Sequence, residues 1–341
     1  MSRLRLLALL SCLFVGLAAA PAATSAQGKA SWAQPEINLV VSHGLLARSV
    51  TGFRPNQALT QGELRDLIAG LTEEPPQTVS NPAAPVTMAQ LDARLVRALG
   101  MSDEASIFYD SAAAAGLRPP SRFGTEVVAR LLGLRTNHPA AQDNLERLPS
   151  EPAPRAEAAY SAAQILRLSD QEKQSVQEAA ATFELPAFTP WQRRVLTTAI
   201  SFIGYPYIWG GDSELPESPF GVQSSGGFDC SGFAWRVFKR QSYPGAPKLG
   251  NVLRGRTAAA MAGEVPRRRR IKFEKLAPAD LLFFGDGGRR AKAVQIDHVG
   301  IYLGNGWLVH SSRYGVALAP VFGWYADRLA WGRRPLVEAG L

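Results

Sequence analysis

The strongest constraint on the fold is a hairpin near the C-terminal end of the sequence, where two histidines lie on either side of a tight turn. The apolar residues 299–303 run into Gly304-Asn305-Gly306, and residues 307–310 return with similar apolar character. An Asn-Gly turn between two apolar runs is a strong local signal for antiparallel pairing. The pairing brings His298 close to His310. The sequence therefore predicts an antiparallel sheet that carries two neighbouring imidazoles.

A cysteine upstream of the hairpin has the chemistry to act together with these histidines. Cys230 follows Phe228-Asp229, and the apolar spacing of residues 233–238 places it in the first turn of a helix. A helix N-terminus favours an anion, so we expect a lowered thiol pKa. One thiol and two imidazoles are the components of a nucleophile, its base and an orienting group. A metal site is the alternative, but it would lack a fourth cysteine or a closely spaced histidine pair.

The first 26 residues have the pattern of a secretory signal peptide. Arg3 and Arg5 precede an apolar run over residues 6–20, and small residues follow up to Ala26. Cys12 lies within this segment, so its removal leaves Cys230 without a disulfide partner. We therefore expect an exported protein of the cell wall or extracellular space, or of the periplasm if the envelope has two membranes.

Length and composition allow two domains, each with its own hydrophobic core. The chain has 341 residues, of which 46% are hydrophobic and 19% charged, as in ordinary globular proteins. The formal net charge of +8 suits a polyanionic partner such as a wall polymer, although a basic excess of this size is also explained by solubility alone.

Residues 30–170 are expected to be helical and to repeat a short unit. Thr60 and Glu63 have the spacing of a capping box at the start of a helix. Further helix starts are predicted near Thr87, Ser121 and Pro154, about 27 to 35 residues apart, a spacing typical of stacked helical repeats.

The first of these units resembles the S-layer homology repeat. The resemblance is carried by residues 32–37 (Trp-Ala-Gln-Pro-Glu-Ile), 44–45 (Gly-Leu), 53–56 (Phe-Arg-Pro-Asn) and 59–64 (Leu-Thr-Gln-Gly-Glu-Leu). It implies a helical bundle that grips an anionic secondary wall polymer. Gln61 stands where that family has an arginine, whereas Arg155 keeps a basic residue in the last unit. A helical spacer without a ligand remains the alternative.

Residues 171–189 are assigned to a linker, and a second domain is assigned to residues 190–335. Thr189 can cap a helix that has Pro190 at its first position and ends near Phe202. Residues 281–284 read as a wholly apolar strand.

The second domain resembles the NlpC/p60 cysteine peptidases. Four separated motifs carry the resemblance: residues 206–211 (Pro-Tyr-Ile-Trp-Gly-Gly), 228–232 (Phe-Asp-Cys-Ser-Gly), 278–284 (Pro-Ala-Asp-Leu-Leu-Phe-Phe) and 298–306 (His-Val-Gly-Ile-Tyr-Leu-Gly-Asn-Gly). The resemblance implies an α+β papain-like catalytic domain, in which a helix with the cysteine packs on an antiparallel sheet. An all-α repeat domain would precede it.

The same resemblance implies the roles of the site residues. Cys230 would be the nucleophile, His298 the base and His310 the orienting residue. The backbone amide of Cys230 and the phenol of Tyr207 would stabilise the oxyanion. Asp229 and Ser231 match positions that contact a free substrate amine in some relatives.

The sequence differs from the family pattern in several places that bear on the substrate. The loop between Gly211 and Phe228 is longer than usual, Met261 stands where a glutamine is common, and Ala279 replaces a glycine. These changes leave the catalytic groups in place and affect the expected shape of the cleft.

The expected function is hydrolysis of peptidoglycan stem peptides, at a bond of the γ-D-glutamyl-diaminopimelate type, by an exported Cys/His/His endopeptidase. An amidase or acyltransferase on the same scaffold, or a non-catalytic wall-binding protein, are the alternatives. No cofactor, metal or nucleic acid is expected, since the arginine run 267–270 has neither interleaved aromatics nor a phosphate loop. His43 and His138 are interpreted as structural.

Overall fold

The structure is a computed structural model, and it describes residues 30–218, 221–223 and 225–341. The predicted signal segment 1–26 lies outside these residues. Ser31–Leu341 packs as one compact unit, so the predicted helical and catalytic regions are in extensive contact. Within the described residues, no helix has the length and apolar character needed to cross a membrane.

The N-terminal half of the compact unit is helical, as the apolar spacing predicts. Its α-helices are α1 (Gln34–Ser42), α2 (Gln61–Thr72), α3 (Met88–Ala98), α4 (Ser102–Ala114), α5 (Phe123–Leu131), α6 (Arg155–Arg167) and α7 (Asp170–Ala181). Thr60 and Glu63 form the predicted capping box at α2, and Thr87 forms the equivalent one with Gln90 at α3. Local side-chain chemistry therefore fixes where these two helices begin.

Three of the four predicted helix starts meet in space. Short antiparallel bridges join Ala58 to Pro154, Thr60 to Pro85, and Thr87 to Pro152. The segments before α2, α3 and α6 thus lie side by side. The fourth start, before α5, takes part in none of these bridges, and α5, like α6, begins without a side-chain cap. The interpretation of these units as repeats stays a prediction.

Arg155 has a structural role that was not predicted from the sequence. It is buried, forms an ion pair with Glu63, and donates from Nε to the Phe53 carbonyl at 2.8 Å and from Nη2 to the Leu46 carbonyl at 2.6 Å. A guanidinium bound in this way is not available to a polymer. Arg155 instead ties the last predicted unit to the first.

The segment assigned as a linker, residues 171–189, contains most of α7. Val176 and Ala180 of this helix are buried, and α7 packs on α4. The next helix, α8 (Pro190–Ser201), begins as predicted, with Thr189 accepting from the Gln192 amide and Pro190 at the first position.

The C-terminal half is built on an antiparallel sheet. Short two-residue strands come first: β1 (Asp212–Ser213), β2 (Glu217–Ser218), β3 (Gly221–Val222) and β4 (Gly227–Phe228). The main sheet consists of β5 (Leu281–Gly285), β6 (Ile296–Gly304), β7 (Trp307–Ser312), β8 (Gly315–Pro320) and β9 (Leu329–Arg333), in the order β8-β7-β6-β5-β9. The remaining helices are α9 (Cys230–Trp235), α10 (Ala258–Gly263), α11 (Trp324–Arg328) and α12 (Pro335–Glu338).

The predicted hairpin is β6–β7. Ile301 pairs with Val309 and Tyr302 with Leu308, and a bulge near the turn places Gly304 opposite Trp307. Asn305 and Gly306 have φ values of 47° and 82°, the left-handed conformation that a tight hairpin turn needs.

Helix α9 places Cys230 at its first residue and continues into a π-helical turn over Arg236–Arg240. It packs on β6 and β7 of the sheet. Gly232 is needed for this packing, because a Cβ there would lie 1.9 Å from the Gly211 carbonyl oxygen. The arrangement is the predicted one, a cysteine-bearing helix on an antiparallel sheet.

The helical region and the sheet region share a core. Phe108 of α4, Phe183 and Trp307 of β7 form an aromatic cluster with ring centroids 4.9 to 5.9 Å apart. Arg122 donates to the carbonyls of Ser201 and Ile203 at 2.6 and 2.9 Å, and Arg130 donates to the Gly204 carbonyl at 2.8 Å. Charged side chains of the helices therefore hold the chain just before Tyr207.

Candidate active site

The thiol of Cys230 lies against the strand that carries His298. Its side chain is 9% exposed, and Sγ is 3.8 Å from the carbonyl oxygen of Asp297. The amide of Val299, on the other side of His298, also hydrogen-bonds to the sulfur. The sulfur is thus held by the backbone on both sides of the predicted base.

The prediction of a lowered thiol pKa is wrong in this resting arrangement. Burial, followed by the nearby Asp229 carboxylate, raises the pKa of Cys230 to about 12. The Val299 and Ser231 amides act in the opposite direction but are outweighed. A short helix N-terminus does not compensate for loss of solvent around the anion. The resting nucleophile is therefore a thiol.

The two predicted histidines are in direct contact. Nε2 of His298 lies 2.8 Å from Nδ1 of His310, and Nε2 of His310 lies 3.3 Å from the phenol oxygen of Tyr325. The ring of His310 meets the rings of His298 and Tyr325 edge-to-face, with centroids 5.0 and 5.2 Å apart. The series runs from the half-buried His298 through the buried His310 to the half-buried Tyr325.

Both imidazoles are neutral at rest. Burial lowers the pKa of His298 to about 4, and burial together with the neighbouring His298 lowers the pKa of His310 well below its usual value. When both imidazoles are neutral, the contact between them holds one proton, which one ring donates and the other accepts. If His298 carries its proton on Nε2 and donates to His310, then Nδ1 of His298 keeps the lone pair that a base requires.

Gly300, two residues after His298 on β6, leaves space for His310 on the neighbouring strand β7. A Cβ at Gly300 would lie 2.5 Å from Cδ1 of Leu308 and 3.2 Å from Cβ of His310. Gly300 therefore allows His310, which is 1% exposed, to sit close to β6. The glycine two residues after the predicted base therefore has a packing role.

The phenol of Tyr207 lies close enough to Cys230 and Asp229 for their charges to act on it. Burial, followed by the Cys230 and Asp229 charges, raises the pKa of Tyr207 above its ordinary value. The phenol therefore keeps its proton and remains a hydrogen-bond donor. This is the property that its predicted role at the oxyanion requires.

Asp229 and Ser231 are occupied by protein contacts. Asp229 Oδ1 accepts from Nη1 of Arg256 at 2.9 Å and from the Ser231 hydroxyl at 3.0 Å, and Oδ2 accepts from the Gly210 amide at 3.1 Å. Nη1 of Arg256 also donates to Ser231 Oγ at 2.8 Å. The cation of Arg256 thus contacts both residues that are predicted to meet a cationic substrate amine. Their visible role is to fix the start of α9.

The helical region contributes to the edge of the site. Asp143, in a 3-10 turn over Ala140–Leu145, accepts the Trp209 amide at 3.3 Å. Trp209 is 76% exposed and lies two residues after Tyr207. The predicted wall-binding region therefore supports the loop that carries Tyr207, the predicted oxyanion donor.

With this geometry established, comparison with known proteins identifies the C-terminal region. Residues 204–334 form an NlpC/P60 family domain. The match lies within the predicted catalytic domain, residues 190–335. This match does not extend into the helical region, whose S-layer homology resemblance stays a prediction.

Relatives resemble the chain over the NlpC/P60 domain. A gamma-D-glutamyl-L-lysine dipeptidyl-peptidase of Bacillus subtilis is 32% identical over 125 residues, 36% of this chain and 33% of that protein. The bifunctional muramidase/DL-endopeptidase CwlT of Bacillus subtilis is 35% identical over 141 residues, 41% of this chain and 35% of that protein. The chain thus spans about a third of the length of these curated relatives.

One solved structure also matches part of the chain. A crystal structure of an NlpC/P60 family protein from Bacillus cereus shares 28% sequence identity, covers 45% of this chain and 42% of that chain, and has a TM-score of 0.33.

Two residues of the NlpC/P60 domain that shape the site were missed from sequence. Tyr325 lies on α11, between β8 and β9, where no periodicity marks it. Arg256 directly precedes the capping residue Thr257 of α10, and its contacts with Asp229 cross 27 residues of chain. Both act through long-range contacts, which local patterns do not predict.

Proposed function

We propose that this protein is a cysteine endopeptidase that hydrolyses peptidoglycan stem peptides. The observation that carries the proposal is the thiol of Cys230, held by the backbone on both sides of His298, with Nε2 of His298 bonded to His310. The NlpC/P60 domain and the peptidase names of its relatives support the substrate class.

The groups present can carry out acyl transfer in two steps. In the first step, the Cys230 proton passes to Nδ1 of His298 while sulfur attacks the scissile carbonyl carbon. The Cys230 amide and the Tyr207 phenol stabilise the oxyanion, and the new imidazolium gives its proton to the leaving amine. In the second step, His298 takes a proton from water and the resulting hydroxide attacks the thioester carbonyl carbon. The C–S bond then breaks, the carboxylic acid product leaves, and His298 returns its proton to the sulfur of Cys230.

His310 acts as a positioning residue in this scheme. Its Nδ1 accepts from Nε2 of His298, which fixes the tautomer and ring orientation of the base. It also stabilises the imidazolium that forms when the thiol is deprotonated. A neutral partner does this without a buried negative charge.

The bond attacked is proposed to be of the γ-D-glutamyl-diaminopimelate type, in a protein that is exported to the cell wall or beyond. Mass analysis of muropeptides after incubation with purified peptidoglycan tests the bond and the activity together. Wild-type protein is expected to produce new stem-peptide termini, whereas Cys230→Ala and His298→Ala are not. His43→Ala, at an exposed histidine, is the matched control.

Other outcomes of the same experiment favour other functions. Cleavage between sugar and peptide would indicate an amidase, and a new cross-link would indicate an acyltransferase. Binding to walls without any new terminus would indicate a non-catalytic wall protein. Any of these results contradicts the endopeptidase proposal. N-terminal sequencing of the protein recovered outside the cell tests export and the signal segment 1–26.

Binding of an anionic wall polymer is proposed for the helical region, because of one basic groove. The groove, of about 630 Å³, is lined by Arg65, Arg94, Arg97 and Lys173 and by one carboxylate, Glu74. Burial, followed by the charge of the neighbouring Arg97, lowers the pKa of Arg94, so these two cations lie close enough to repel each other. A phosphate or carboxylate placed between them would relieve that repulsion.

Charge reversal in the groove tests this second activity. Arg97→Glu with Lys173→Glu is expected to abolish sedimentation with polymer-bearing walls, while walls stripped of polymer should not bind even the wild type. Arg289→Glu, in an exposed ion pair of the NlpC/P60 domain, serves as the matched control. Undiminished sedimentation of the double variant would refute polymer binding at this groove.

A further inference from the structure

The positive charge of the chain is concentrated in two short segments of the NlpC/P60 domain. Residues 266–275 and 286–295 contain nine basic and two acidic side chains, so they carry a formal charge of +7, against +8 for the whole chain. Solubility does not require this concentration, because charge spread over the surface serves it equally well. Eight of the basic side chains are exposed: Arg267, Arg268, Arg269, Lys272, Lys275, Arg289, Arg290 and Lys292.

The two segments form one surface at the β9 side of the main sheet. Ile271 and Gly332 of β9 exchange backbone hydrogen bonds of 3.0 and 2.7 Å, so the first segment runs beside this strand. Nη2 of Arg289 in the second segment lies 3.0 Å from Oε1 of Glu274 in the first. We name the surface that the two segments form the basic edge.

The cations of the basic edge are poorly compensated. Arg289 is the one exposed cation among them that has an ion pair within the described part of the chain. The second acidic residue, Asp286, pairs instead with Arg328 of α11. Burial, followed by the charge of Arg267, lowers the pKa of Arg270 in the same run. Contact with an anionic surface would relieve the repulsion between these cations.

Large apolar side chains are exposed in and beside the second segment of the basic edge. Arg328 pairs with Asp286 and Asp297, which flank that segment, and its guanidinium lies 4.8 Å from the ring centroid of Trp324. The start of α11 therefore adjoins the cations. The exposed apolar side chains are Val294 (83%), Phe322 (72%) and Trp324 (56%).

This combination favours a lipid surface over a dissolved polyanion. A soluble anionic polymer is bound by cations alone and gives exposed apolar side chains no shelter from water. At a bilayer interface, phosphate headgroups attract Lys and Arg while apolar and aromatic side chains enter the boundary between headgroups and acyl chains. Both kinds of side chain on this surface then have a partner.

We propose that the basic edge, together with Val294, Phe322 and Trp324, docks the protein on a bilayer that contains anionic phospholipid. Its cations contact the headgroup phosphates, and the three apolar side chains enter the interface. The groove proposed for a wall polymer lies in the helical region and is not part of this surface. Docking does not depend on hydrolysis, so Cys230→Ala should bind lipid as the wild type does.

Co-sedimentation of the full chain with vesicles tests the proposal. Vesicles of phosphatidylglycerol and phosphatidylethanolamine are compared with vesicles of phosphatidylcholine alone. The wild type is expected to bind the anionic vesicles at least about tenfold more tightly, and this binding should weaken as ionic strength rises. Equal binding to the two kinds of vesicle, or no binding to either, overturns the proposal.

Charge reversal locates the contact. Arg268→Glu with Arg290→Glu changes one exposed cation in each segment and should weaken binding to the anionic vesicles at least about tenfold. Arg118→Glu with Lys248→Glu makes the same change of net charge at exposed residues elsewhere and should bind as the wild type does. If the two double variants bind equally, the basic edge is not the docking surface and the proposal is overturned.

Apolar substitutions separate a bilayer from a dissolved polyanion. Val294→Ser with Phe322→Ser keeps every charge and should weaken binding to the anionic vesicles about tenfold. Unchanged binding by this variant would show that phosphate charge alone is recognised, as on a soluble polyphosphate, and would overturn docking on a bilayer. Circular dichroism establishes that each variant is folded. If one double variant of the surface does not fold, the other still decides the outcome.

Discussion

At the scale of single residues, the protonation states of Cys230 and His298 govern the expected response to pH. The pKa of His298 is about 4 and that of Cys230 about 12. The base is competent when unprotonated, so activity should be lost only as pH falls through about 4. We expect kcat/KM on a purified muropeptide to be level from about pH 5 to about pH 10.

Alkylation of the thiol gives an independent measurement. Because only the thiolate reacts well, iodoacetamide should modify Cys230 much more slowly at pH 7 than it modifies free cysteine. An acid limb of kcat/KM near pH 6.5, or rapid alkylation at pH 7, would instead indicate a thiolate–imidazolium pair. Circular dichroism at each pH separates these effects from acid unfolding.

The histidine pair makes a second prediction at this scale. His310→Ala removes the acceptor for Nε2 of His298 and should lower kcat about 10²- to 10³-fold with little change in KM. His310→Asn restores an oxygen acceptor and should recover part of the loss. Tyr325→Phe removes only the outer contact and should cost less than about tenfold.

The recovery by asparagine distinguishes positioning from simple packing. If His310→Asn and His310→Ala lose the same activity while both remain folded, orientation of His298 is not the role of His310. Steady-state kinetics on one muropeptide substrate measures all three variants.

At the scale of elements, Arg155 joins α6 to the start of α2 and to the loop before it. Arg155→Leu leaves the Phe53 and Leu46 carbonyls and the Glu63 carboxylate without their donor. Loss of one partner of a buried pair costs about 3 kcal/mol, so the free energy of unfolding should fall by about that amount.

Arg65→Ala is the control for that measurement, because Arg65 pairs with the largely exposed Asp66. Its cost should be below about 1 kcal/mol in urea denaturation. Equal losses for the two variants would show that Arg155 is not a tie between the predicted units.

Elements whose signals are local were predicted well. The Asn305-Gly306 turn, the Thr60–Glu63 capping box and Thr189 before Pro190 each act within a few residues. The placement of Cys230 at the first residue of a helix belongs to the same class. In such cases the side chain that decides the structure is next to the structure it decides.

Features that depend on distant chain were not predicted. The contacts of Arg256 with Asp229 and of Tyr325 with His310 join segments that no spacing relates. The sign of the Cys230 pKa shift was wrong for the same reason. Its largest cause is burial, which depends on everything packed around the thiol.

At the scale of the whole molecule, the helical region and the NlpC/P60 domain should unfold together. Arg122 of the helical region donates to the Ser201 and Ile203 carbonyls, and Trp307 packs with Phe108 and Phe183. We expect one cooperative transition in calorimetry. Arg122→Ala should lower the free energy of unfolding by about 1 to 3 kcal/mol, and the protein should still unfold in a single transition.

Arg118→Ala, at an exposed arginine just upstream, should change neither the temperature nor the shape of the transition. Two separate transitions in the wild-type protein would contradict the shared core. Splitting that appears only in Arg122→Ala would instead mean that this side chain alone couples the two regions.

The strand order has a consequence for how the chain is made. The apolar strand β5 pairs with β6 on one side and with β9 on the other, yet β9 lies 44 residues or more further along the chain. Until residues 329–333 emerge, one edge of Leu281–Gly285 is an open hydrophobic template for other nascent chains. The sheet that carries His298 is therefore completed only after residues 329–333 have been made, and a chain cut short before β9 should aggregate.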